Sequence, residues 1–441
     1  MQIESYFELL GEIDNVSYEN ISAFQDKKIK ELAKFCISKE FYKTSFPELL
    51  DLAENGLESL SKQKILSSQF LSENSPPKNL NMVFNSRNSG VVLASGGSSG
   101  TRKTIFHDWD FYRHVMKMGA RGLLHRLGKQ PQKVANCFLP GSLWGGFLFG
   151  NGVAEELGSQ LFALGRPSNS ELAKYISEYK IDCFFSSPSF AYSFFLDENI
   201  DIKLLSSITD FCYVGETPID NLIRKIEEKL PQMKLHSLAY TANETGVIGY
   251  QCPLQKGSVH HVHEDSILLE IVDTHTGQHV KDGLVGDILV TTLQTHGTPL
   301  IRYRIGDLGR YLGRNCSCGS NTMVIDLIGR SATSFKICGT IISFEYIQKI
   351  LLPFGKITES DFQLKLENIS GKSKFTVFLN RFATSGTEKL IKELIEHDSL
   401  FMEILAEQQS AGFDIHLIEP NLFKTSNKTG KKLLFYNEGE H

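Results

Sequence analysis

The feature that most constrains the fold is an alternation, between about residues 90 and 240, of short apolar runs with helical patterns. The apolar runs with the character of buried strands are GVVLAS, KVANCFLP, SQLFALG, DCFFSSP and DFCYVGE. Helical patterns lie between them, such as PSNSELAKYISEYK (167–180) and PIDNLIRKIEEKLPQ (218–232). Strands that alternate with helices form parallel sheets with helices packed on their faces. The sequence therefore predicts an α/β fold with parallel or mixed sheets.

The pattern differs on either side of this region. Residues 1–70 are mostly helical in pattern, and from about 265 the segments SILLEIVDTHTGQHV, GDILVTTL and PLIRYRIGDLGRYL are typical of β-strands joined by turns. The last ~110 residues combine a hairpin pattern, DFQLKLENISGKSKFTVFLNRF, with the helical GTEKLIKELIEHD. We therefore expect a large N-terminal domain, residues 1–329, with a β-rich part at about 250–325, and a small α+β domain, residues 330–441.

Composition excludes several classes of partner. The chain has 441 residues, 41% of them hydrophobic, and a net charge of −5, so a broad attraction to nucleic acid or to an anionic membrane is not expected. The most apolar stretch, GSLWGGFLFG at 141–150, is far shorter than the roughly 20 residues that span a bilayer. The acidic N-terminus lacks the features of a secretory signal, and eight scattered cysteines do not resemble a disulfide framework. These features predict a cytoplasmic protein.

The stretch ASGGSSGTRK, residues 94–103, combines backbone freedom with hydrogen-bond donors. Glycine allows the backbone to approach a ligand closely, successive N–H groups can form an anion-binding nest, and Lys103 adds a positive charge. The residues expected to contact a polyphosphate are Ser95, Gly96, Gly97, Ser98, Ser99, Gly100, Thr101 and Lys103. The spacing is not that of a Walker loop, which requires Gly-Lys-Ser/Thr five residues after the first glycine. From these residues alone, a polar surface turn is an equal alternative.

Further segments favour the phosphate-binding interpretation. In chain order they are ASGGSSGTRK, YVGETP, YTANETG, IRYRIGDLGRY, IGRSATSFKICG and KTGKK. Together they resemble the adenylate-forming superfamily, and within it the phenylacetate–coenzyme A ligase branch. The resemblance covers roughly residues 90–440, and its most branch-specific part runs from EDSILLEIVDTHTG to CSCG.

The resemblance implies a two-step reaction. A carboxylate attacks the α-phosphorus of ATP to give an acyl-adenylate and pyrophosphate, and a thiol, usually coenzyme A, then displaces AMP to give a thioester. ATP, Mg²⁺ and coenzyme A are therefore the expected cofactors and cosubstrates, and an aryl or medium-chain aliphatic acid is the expected substrate. Two alternatives stay open: transfer to a carrier protein, a protein cysteine or an amine, and a non-catalytic, zinc-stabilised nucleotide-binding protein. Dimers are common in the resembled branch, so a homodimer is a further expectation.

The resemblance also implies roles for single residues. Glu244 would bind Mg²⁺, whose preferred ligands are oxygens, and Lys431 would bridge the carboxylate and the α-phosphate. Lysines near a C-terminus are more often solvated, and that alternative applies to Lys431 and its neighbours. The other implied roles are adenine binding by Gly215, Glu216, Thr217 and Tyr240, phosphate binding by Asn243, ribose binding by Asp307, nucleotide contact by Arg330, and the thiol step by the loop at Gly339.

Departures from the superfamily pattern occur in the same segments. Thr241 and Asn243 stand where the superfamily usually has glycine and threonine, and Ala332 stands where it often has a hinge aspartate. The amide of Asn243 could still donate to a phosphate oxygen. For the acid-binding pocket, the position of LPGSLWGGFLFG and the aromatic stretch FFSSPSFAYSFF point to Trp144 and Ser187, although aromatic stripes more often belong to a core.

Cysteines and histidines at 252–318 form a candidate metal site. Cys316 and Cys318 are one residue apart, and upstream lies QCPLQKGSVHHVHED, with Cys252 and three histidines. Some members of the resembled branch bind a structural zinc with such a set, and Cys₃His is a closed tetrahedral arrangement. The family spacing selects His261, and His260 is an alternative because this loop has two extra residues. Reduced thiols beside solvent-exposed histidines are the other interpretation.

Overall fold

The computed structural model describes residues 17–84, 89–95, 103–141, 143–215, 220–273, 276–295, 297–314, 316–330, 334–337, 340–355, 357, 361–369, 372–406, 410–424 and 435–438. The chain separates into two compact units. The first unit comprises residues 1–94, 103–188 and 195–329, and the second comprises residues 95–102, 189–194 and 330–441. None of the described helices combines the length and the apolar character that are needed to cross a membrane.

The first unit begins with helices that pack around one apolar cluster. In chain order they are α1 (Tyr18–Ile37), α2 (Glu40–Ser45), α3 (Leu49–Asn55), α4 (Leu57–Leu60) and α5 (Ser68–Glu73). The Ser17 side chain caps α1 by accepting a hydrogen bond from the N–H of Asn20. Ile29, Leu32 and Cys36 lie on one face of α1 and are fully buried.

The predicted α/β region follows. Its elements are β1 (Gly90–Ser95), β2 (Lys103–Asp108), α6 (Trp109–Leu127), β3 (Lys133–Asn136), α7 (Gly145–Glu156), β4 (Gln160–Ala163), α8 (Asn169–Tyr179), β5 (Cys183–Ser186), α9 (Pro188–Phe195), β6 (Asp210–Tyr213), α10 (Asp220–Lys229) and β7 (Lys234–Ser237). Strands β3 to β7 form a parallel sheet in the order β4-β3-β5-β6-β7. Every residue of β5 and β6 is buried, as expected for inner strands of a parallel sheet. The α/β prediction is confirmed.

A seven-stranded, mainly antiparallel sheet completes the first unit. Its strands are β8 (Tyr240–Ala242), β9 (Gly246–Tyr250), β10 (Val259–Val262), β11 (Ile267–Val272), β12 (Val285–Thr292), β13 (Tyr303–Gly313) and β14 (Val324–Arg330), in the order β11-β12-β13-β14-β10-β9-β8. The sheet begins at residue 240, earlier than the change of pattern near 265 had indicated. Strands β8 to β10 are only three to five residues long. Strand β9 is buried along its whole length, and neither β8 nor β10 shows the alternation that marks a half-buried strand.

The second unit is a small α+β structure with its own core. Its described elements include β15 (Ser334–Ile337), β16 (Thr340–Ser343), α11 (Phe344–Leu351), β17 (Phe362–Ile369), β18 (Lys372–Asn380), α12 (Glu388–Glu396), α13 (Ser399–Ala406), β19 (Ser410–Ile418) and β20 (Phe435–Glu438). Strands β17 and β18 form the predicted hairpin, with Phe362 opposite Leu379 and Ile369 opposite Lys372. The helices bury apolar residues such as Phe344, Ile391 and Phe401 against this sheet.

Candidate active site

The parallel sheet brings several predicted site residues to one edge. Trp144 lies in the segment after β3, Ser187 directly follows β5, Gly215 follows β6, and Tyr240 lies three residues beyond β7. The strands β3, β5, β6 and β7 are neighbours and parallel, so these residues all stand at the carboxyl edge of the sheet. Ligands of open α/β sheets bind outside this edge. The side chains of Trp144 and Ser187 are both half-buried there.

The two ends of the glycine-rich loop are strands of one small sheet. Strand β1 ends at Ser95, and β2 begins at Lys103 and pairs with β1. The predicted phosphate-binding residues Gly96, Gly97, Ser98, Ser99, Gly100 and Thr101 lie outside the described residues, as do the side chains of Ser95 and Lys103. The backbone N–H and carbonyl of Ala94, just before the loop, both form hydrogen bonds. Its N–H donates to the carbonyl of Leu143 at 2.9 Å, and its carbonyl accepts from Asn243 Nδ2 at 2.8 Å.

The departures at Thr241 and Asn243 have structural roles. The Thr241 hydroxyl donates to the carbonyl of Gly246 at 2.8 Å and so closes the turn between β8 and β9. The amide of Asn243 joins this turn to the end of β1 and packs against Gly145, where an added Cβ would lie 2.6 Å from Asn243 Oδ1. The hydrogen bond to Ala94 uses one proton of the Asn243 amide. The expected donation from Asn243 to a phosphate oxygen stays a prediction.

The two predicted carboxylates, Glu244 and Asp307, are each held by a tyrosine. Tyr240 Oη donates to Asp307 Oδ2 at 2.9 Å, and Tyr303 Oη donates to Glu244 Oε1 at 3.1 Å. Glu244, Tyr240 and Tyr303 are buried, and Asp307 is partly accessible. Sequence reasoning did not identify Tyr303, although it lies inside the IRYRIGDLGRY segment.

A neutral imidazole lies close to Glu244. His107, on β2, is 2% exposed, and its Nε2 is a buried atom with no hydrogen-bond partner among the described residues. Burial lowers the pKa of His107 to about 4, against the opposing effects of the Asn243 backbone and the Glu244 carboxylate. Near neutral pH, His107 is therefore uncharged and adds no positive charge beside Glu244.

The structure brings together the four residues predicted to bind zinc. Cys252 follows β9, His261 is in β10, and Cys316 and Cys318 lie in the turn after β13. Their donor atoms all lie within 4.8 Å of one another, with 3.9 Å between the sulfurs of Cys252 and Cys316 and 3.5 Å between Cys318 Sγ and His261 Nε2. Tetrahedral zinc with its usual bond lengths requires about 3.8 Å between two sulfurs and about 3.6 Å between sulfur and nitrogen. The donor set and its spacing therefore fit zinc.

Neighbouring groups orient the histidine of this cluster. His261 Nδ1 lies 2.8 Å from Thr322 Oγ1, which lies 2.9 Å from Ser320 Oγ, so Nε2 is the nitrogen that points to the thiols. The alternative, His260, is outside the cluster, because its Nε2 contacts Ser237 Oγ at 2.9 Å and its Nδ1 contacts the carbonyl of Ser258. Burial and the neighbouring thiols raise the pKa of Cys318 to about 12, and a bound cation would stabilise its thiolate form.

A polar network that the sequence did not indicate connects this cluster to the parallel sheet. Arg126, on α6, donates to the carbonyls of Cys252 and Gln255 at 2.6 Å each, and its Nε lies 3.0 Å from His236 Nδ1. His236 Nε2 in turn contacts Asp210 Oδ1 at 3.0 Å. Burial acts to raise the pKa of Asp210, but hydrogen bonds from His236, Lys129 and a threonine outweigh it and hold this pKa well below its usual value.

Other predicted residues cannot be placed. Glu216, Thr217, Gly339 and Lys431 lie outside the described residues. Arg330 is the last residue of β14, and its side chain is not described.

Comparison with known proteins supports the resemblance that the motifs indicate. No family model matches the chain. The chain is 23% identical over 403 residues to a phenylacetate-coenzyme A ligase of Thermus thermophilus, with 88% of each protein covered. It is 26% identical over 227 residues to the phenylacetate-coenzyme A ligase of Escherichia coli K12, with 50% of this chain and 51% of that protein covered.

Solved structures give the same assignment of the fold. A 2-hydroxyisobutyryl-CoA ligase in complex with 2-HIB-AMP and CoA, in the thioesterification state, superimposes with a TM-score of 0.77 at 16% identity and covers 97% of this chain and 92% of its own. A postadenylation state of that ligase gives a TM-score of 0.59 at 18% identity, with 99% and 90% covered. The resemblance and the predicted fold class are confirmed. This chain has the fold of the acyl-CoA ligases of the adenylate-forming superfamily, and its curated sequence relatives are phenylacetate-coenzyme A ligases.

Proposed function

We propose that this chain uses ATP to convert a carboxylic acid into an acyl-adenylate with release of pyrophosphate, and then transfers the acyl group to the thiol of coenzyme A with release of AMP. The observation that carries the proposal is the pair of carboxylates, Glu244 and Asp307, held by tyrosines beside the carboxyl edge of the parallel sheet. Similarity to curated phenylacetate-coenzyme A ligases over most of the chain supports the same reaction.

In the first step, a carboxylate oxygen attacks the α-phosphorus, and the bond from this phosphorus to the bridging oxygen of pyrophosphate breaks. Negative charge accumulates on the phosphates, so the site needs donors and cations. We assign this role to the 95–103 loop with Lys103, to Lys431, and to Glu244 as an Mg²⁺ ligand. Mg²⁺ would supply charge neutralisation between the phosphate oxygens.

The nucleoside part of ATP would be bound by the neighbouring segments. Asp307 is partly accessible and would accept hydrogen bonds from ribose hydroxyls, while the ring of Tyr240 would stack on adenine. We assign the remaining adenine and phosphate contacts to Gly215, Glu216, Thr217, Asn243 and Arg330.

The acid would bind outside the carboxyl edge of the parallel sheet, near Trp144 and Ser187. Aryl and medium-chain aliphatic acids are the classes we propose, because the phenylacetate ligases are relatives and the surrounding segments are rich in aromatic and aliphatic residues. In the second step, the thiolate sulfur attacks the acyl carbon and AMP leaves. We propose that residues 330–441 are the mobile domain of this step, with Gly339 in the loop that admits the thiol.

We also propose that Cys252, His261, Cys316 and Cys318 bind one structural zinc ion. A closed set of four protein ligands leaves no position for a substrate, so the ion would stabilise the loops after β9 and β13. A homodimer remains a prediction. A cytoplasmic location also remains a prediction.

The test is a full reaction with purified protein, ATP, Mg²⁺ and a panel of aryl and aliphatic acids. The acceptor is coenzyme A, a phosphopantetheinyl carrier protein or an amine, and mass spectrometry identifies the products. We expect one acid class to give AMP and an acyl-CoA in equal amounts. If AMP is released faster with a carrier protein or an amine than with coenzyme A, that compound and not coenzyme A is the acceptor. AMP production with no acid would contradict the adenylation step.

A further inference from the structure

The two tyrosine–carboxylate hydrogen bonds of the site form a reciprocal pair. Tyr240 donates to Asp307, and Tyr303 donates to Glu244. In each segment, the tyrosine precedes the carboxylate by four residues, so the segments 240–244 and 303–307 lie opposite each other in antiparallel directions. The pair therefore joins the two segments at both ends, and each bond ends on a carboxylate that we assign to ATP–Mg²⁺ binding.

The sheet order shows that these bonds are not ordinary contacts between neighbouring strands. Strands β8 and β13 are four positions apart in the order β13-β14-β10-β9-β8. In a flat sheet, that separation would be about 19 Å at the usual spacing of strands. Hydrogen bonds of 2.9 and 3.1 Å between side chains of the segments 240–244 and 303–307 require the sheet to curl until these two segments face each other. Apolar residues such as Ile248, Val262 and Ile288 fill the interior of the curled sheet.

The backbone on either side of Tyr303 is held by hydrogen bonds to Leu66. The N–H of Leu66 donates to the carbonyl of Arg302, and the N–H of Arg304 donates to the carbonyl of Leu66, each at 3.0 Å, so Leu66 forms a parallel bridge with Tyr303. The Tyr303 side chain is 1% exposed, and a buried phenol hydroxyl requires a hydrogen-bond partner. The Tyr303 hydroxyl is therefore a rigid donor, and Glu244 is the carboxylate that it holds.

We propose that Tyr303 and Tyr240 are positioning residues that preset Glu244 for Mg²⁺ and Asp307 for the ribose before the nucleotide binds. This inference rests on the proposed adenylation. A carboxylate that is held at one oxygen has lost most of its rotational freedom, so less conformational entropy is lost when its ligand arrives. Each tyrosine thus acts on one ligand: Tyr303 on the metal and Tyr240 on the nucleoside.

Two phenylalanine substitutions separate these effects in an ATP–pyrophosphate exchange assay. Tyr303→Phe should raise the free Mg²⁺ concentration at half-maximal exchange by about tenfold to hundredfold, with the rate at saturating Mg²⁺ within about threefold of wild type. Tyr240→Phe keeps the ring that would stack on adenine and should raise the KM for ATP by about tenfold at saturating Mg²⁺. Tyr311→Phe, the same change on the same strand β13, is the matched control and should change neither quantity.

The exchange assay distinguishes a failure of the positioning role from a failure of the proposed adenylation. If wild-type protein exchanges no pyrophosphate with any acid, adenylation itself fails and the inference fails with it. If wild type exchanges and both variants match Tyr311→Phe in their Mg²⁺ and ATP dependence, only the positioning role is overturned. A uniform loss of rate that saturating Mg²⁺ and ATP do not restore would also overturn it. If tryptophan fluorescence shows that Tyr303→Phe does not fold, Tyr240→Phe decides by the same criterion, with Asp307→Asn expected to raise the KM for ATP at least as much.

Discussion

Replacing Arg302 should strongly destabilise the first unit. Arg302 and Glu270 are each 2% exposed, and Arg302 Nε lies 3.0 Å from Glu270 Oε2. The same guanidinium donates to the carbonyls of Ser61, Gln63 and Gly277 at 3.0, 2.8 and 2.9 Å. Arg302 also has a φ of +48°, which is a left-handed backbone conformation. This conformation is unfavourable for arginine, and the hydrogen bonds of the side chain offset its cost in free energy.

The expected magnitude follows from this burial. Arg302→Met removes the buried partner of the Glu270 carboxylate and leaves it beside the exposed ring of His279, whose Nε2 lies 3.3 Å from Glu270 Oε1. The loss of the buried partner costs about 3–5 kcal/mol. With a urea m-value of ~3 kcal/mol/M for a unit of this size, the midpoint of unfolding should fall by about 1–1.7 M. Arg310→Met is the matched control on the same strand. Its ion pair with Asp326 is partly exposed, so its loss should cost less than about 1 kcal/mol.

The assay is urea unfolding followed by tryptophan fluorescence. Trp109 and Trp144 are the two tryptophans of the chain and both belong to the first unit, so the signal reports on this unit alone. The double variant Arg302→Met, Glu270→Leu removes the uncompensated charge, and its loss should be at least about 1 kcal/mol smaller than the sum of the two single losses. Losses that simply add, or a midpoint shift below about 0.3 M for Arg302→Met, would refute the reasoning.

Three further predictions concern the metal cluster, Lys431 and a buried histidine. Purified protein should contain about one zinc ion per chain by elemental analysis. The Cys318→Ser variant should lose this zinc, and the His260→Gln variant should retain it. An equal zinc content in both variants would contradict the assigned ligands. Lys431→Ala should slow adenylation by about a hundredfold or more but leave thioester formation from supplied acyl-adenylate unchanged. Lys432→Ala is the control. Loss of both half-reactions in Lys431→Ala would contradict a role of Lys431 in adenylation alone. Burial and two nearby cations lower the pKa of His114 to about 3. Below about pH 6.5, this ring therefore binds a proton in the unfolded chain but not in the folded chain. The free energy of unfolding should fall as the pH decreases from about 6.5 to about 3. The contribution of this ring to that fall is at most about 1.4 kcal/mol per pH unit. His114→Gln should flatten the pH dependence of the urea midpoint, and an unchanged slope would contradict the shift.

The parallel sheet was predictable because its inner strands are buried on both faces. Such strands are short, nearly continuous apolar runs, and the sequences CFFS and DFCY match that description. Strands β8 to β10 are equally short, but they contain glycine, and their histidine and tyrosine side chains bond to other elements. A pattern of hydropathy does not mark such strands.

The metal cluster was predictable in part. The spacing of Cys316 and Cys318 and the remote Cys252 indicated a thiolate site, but the sequence left His260 and His261 as alternatives. Adjacent residues of a strand point to opposite faces, so only the position of β10 in the sheet decides which ring reaches the thiols. Tyr303 and Arg126 were missed for a related reason, because their roles depend on partners 59 and 126 residues away in the chain.

The central claim is that this chain adenylates a carboxylic acid, and ATP–pyrophosphate exchange without any thiol tests it most directly. Labelled pyrophosphate would be incubated with zinc-replete protein, ATP, Mg²⁺ and each acid of an aryl and aliphatic panel. The account predicts label in ATP with one class of acid, and a strong reduction of that label in Lys431→Ala. No exchange with any acid, in protein that still binds ATP, would contradict the account and favour a nucleotide-binding protein without this activity.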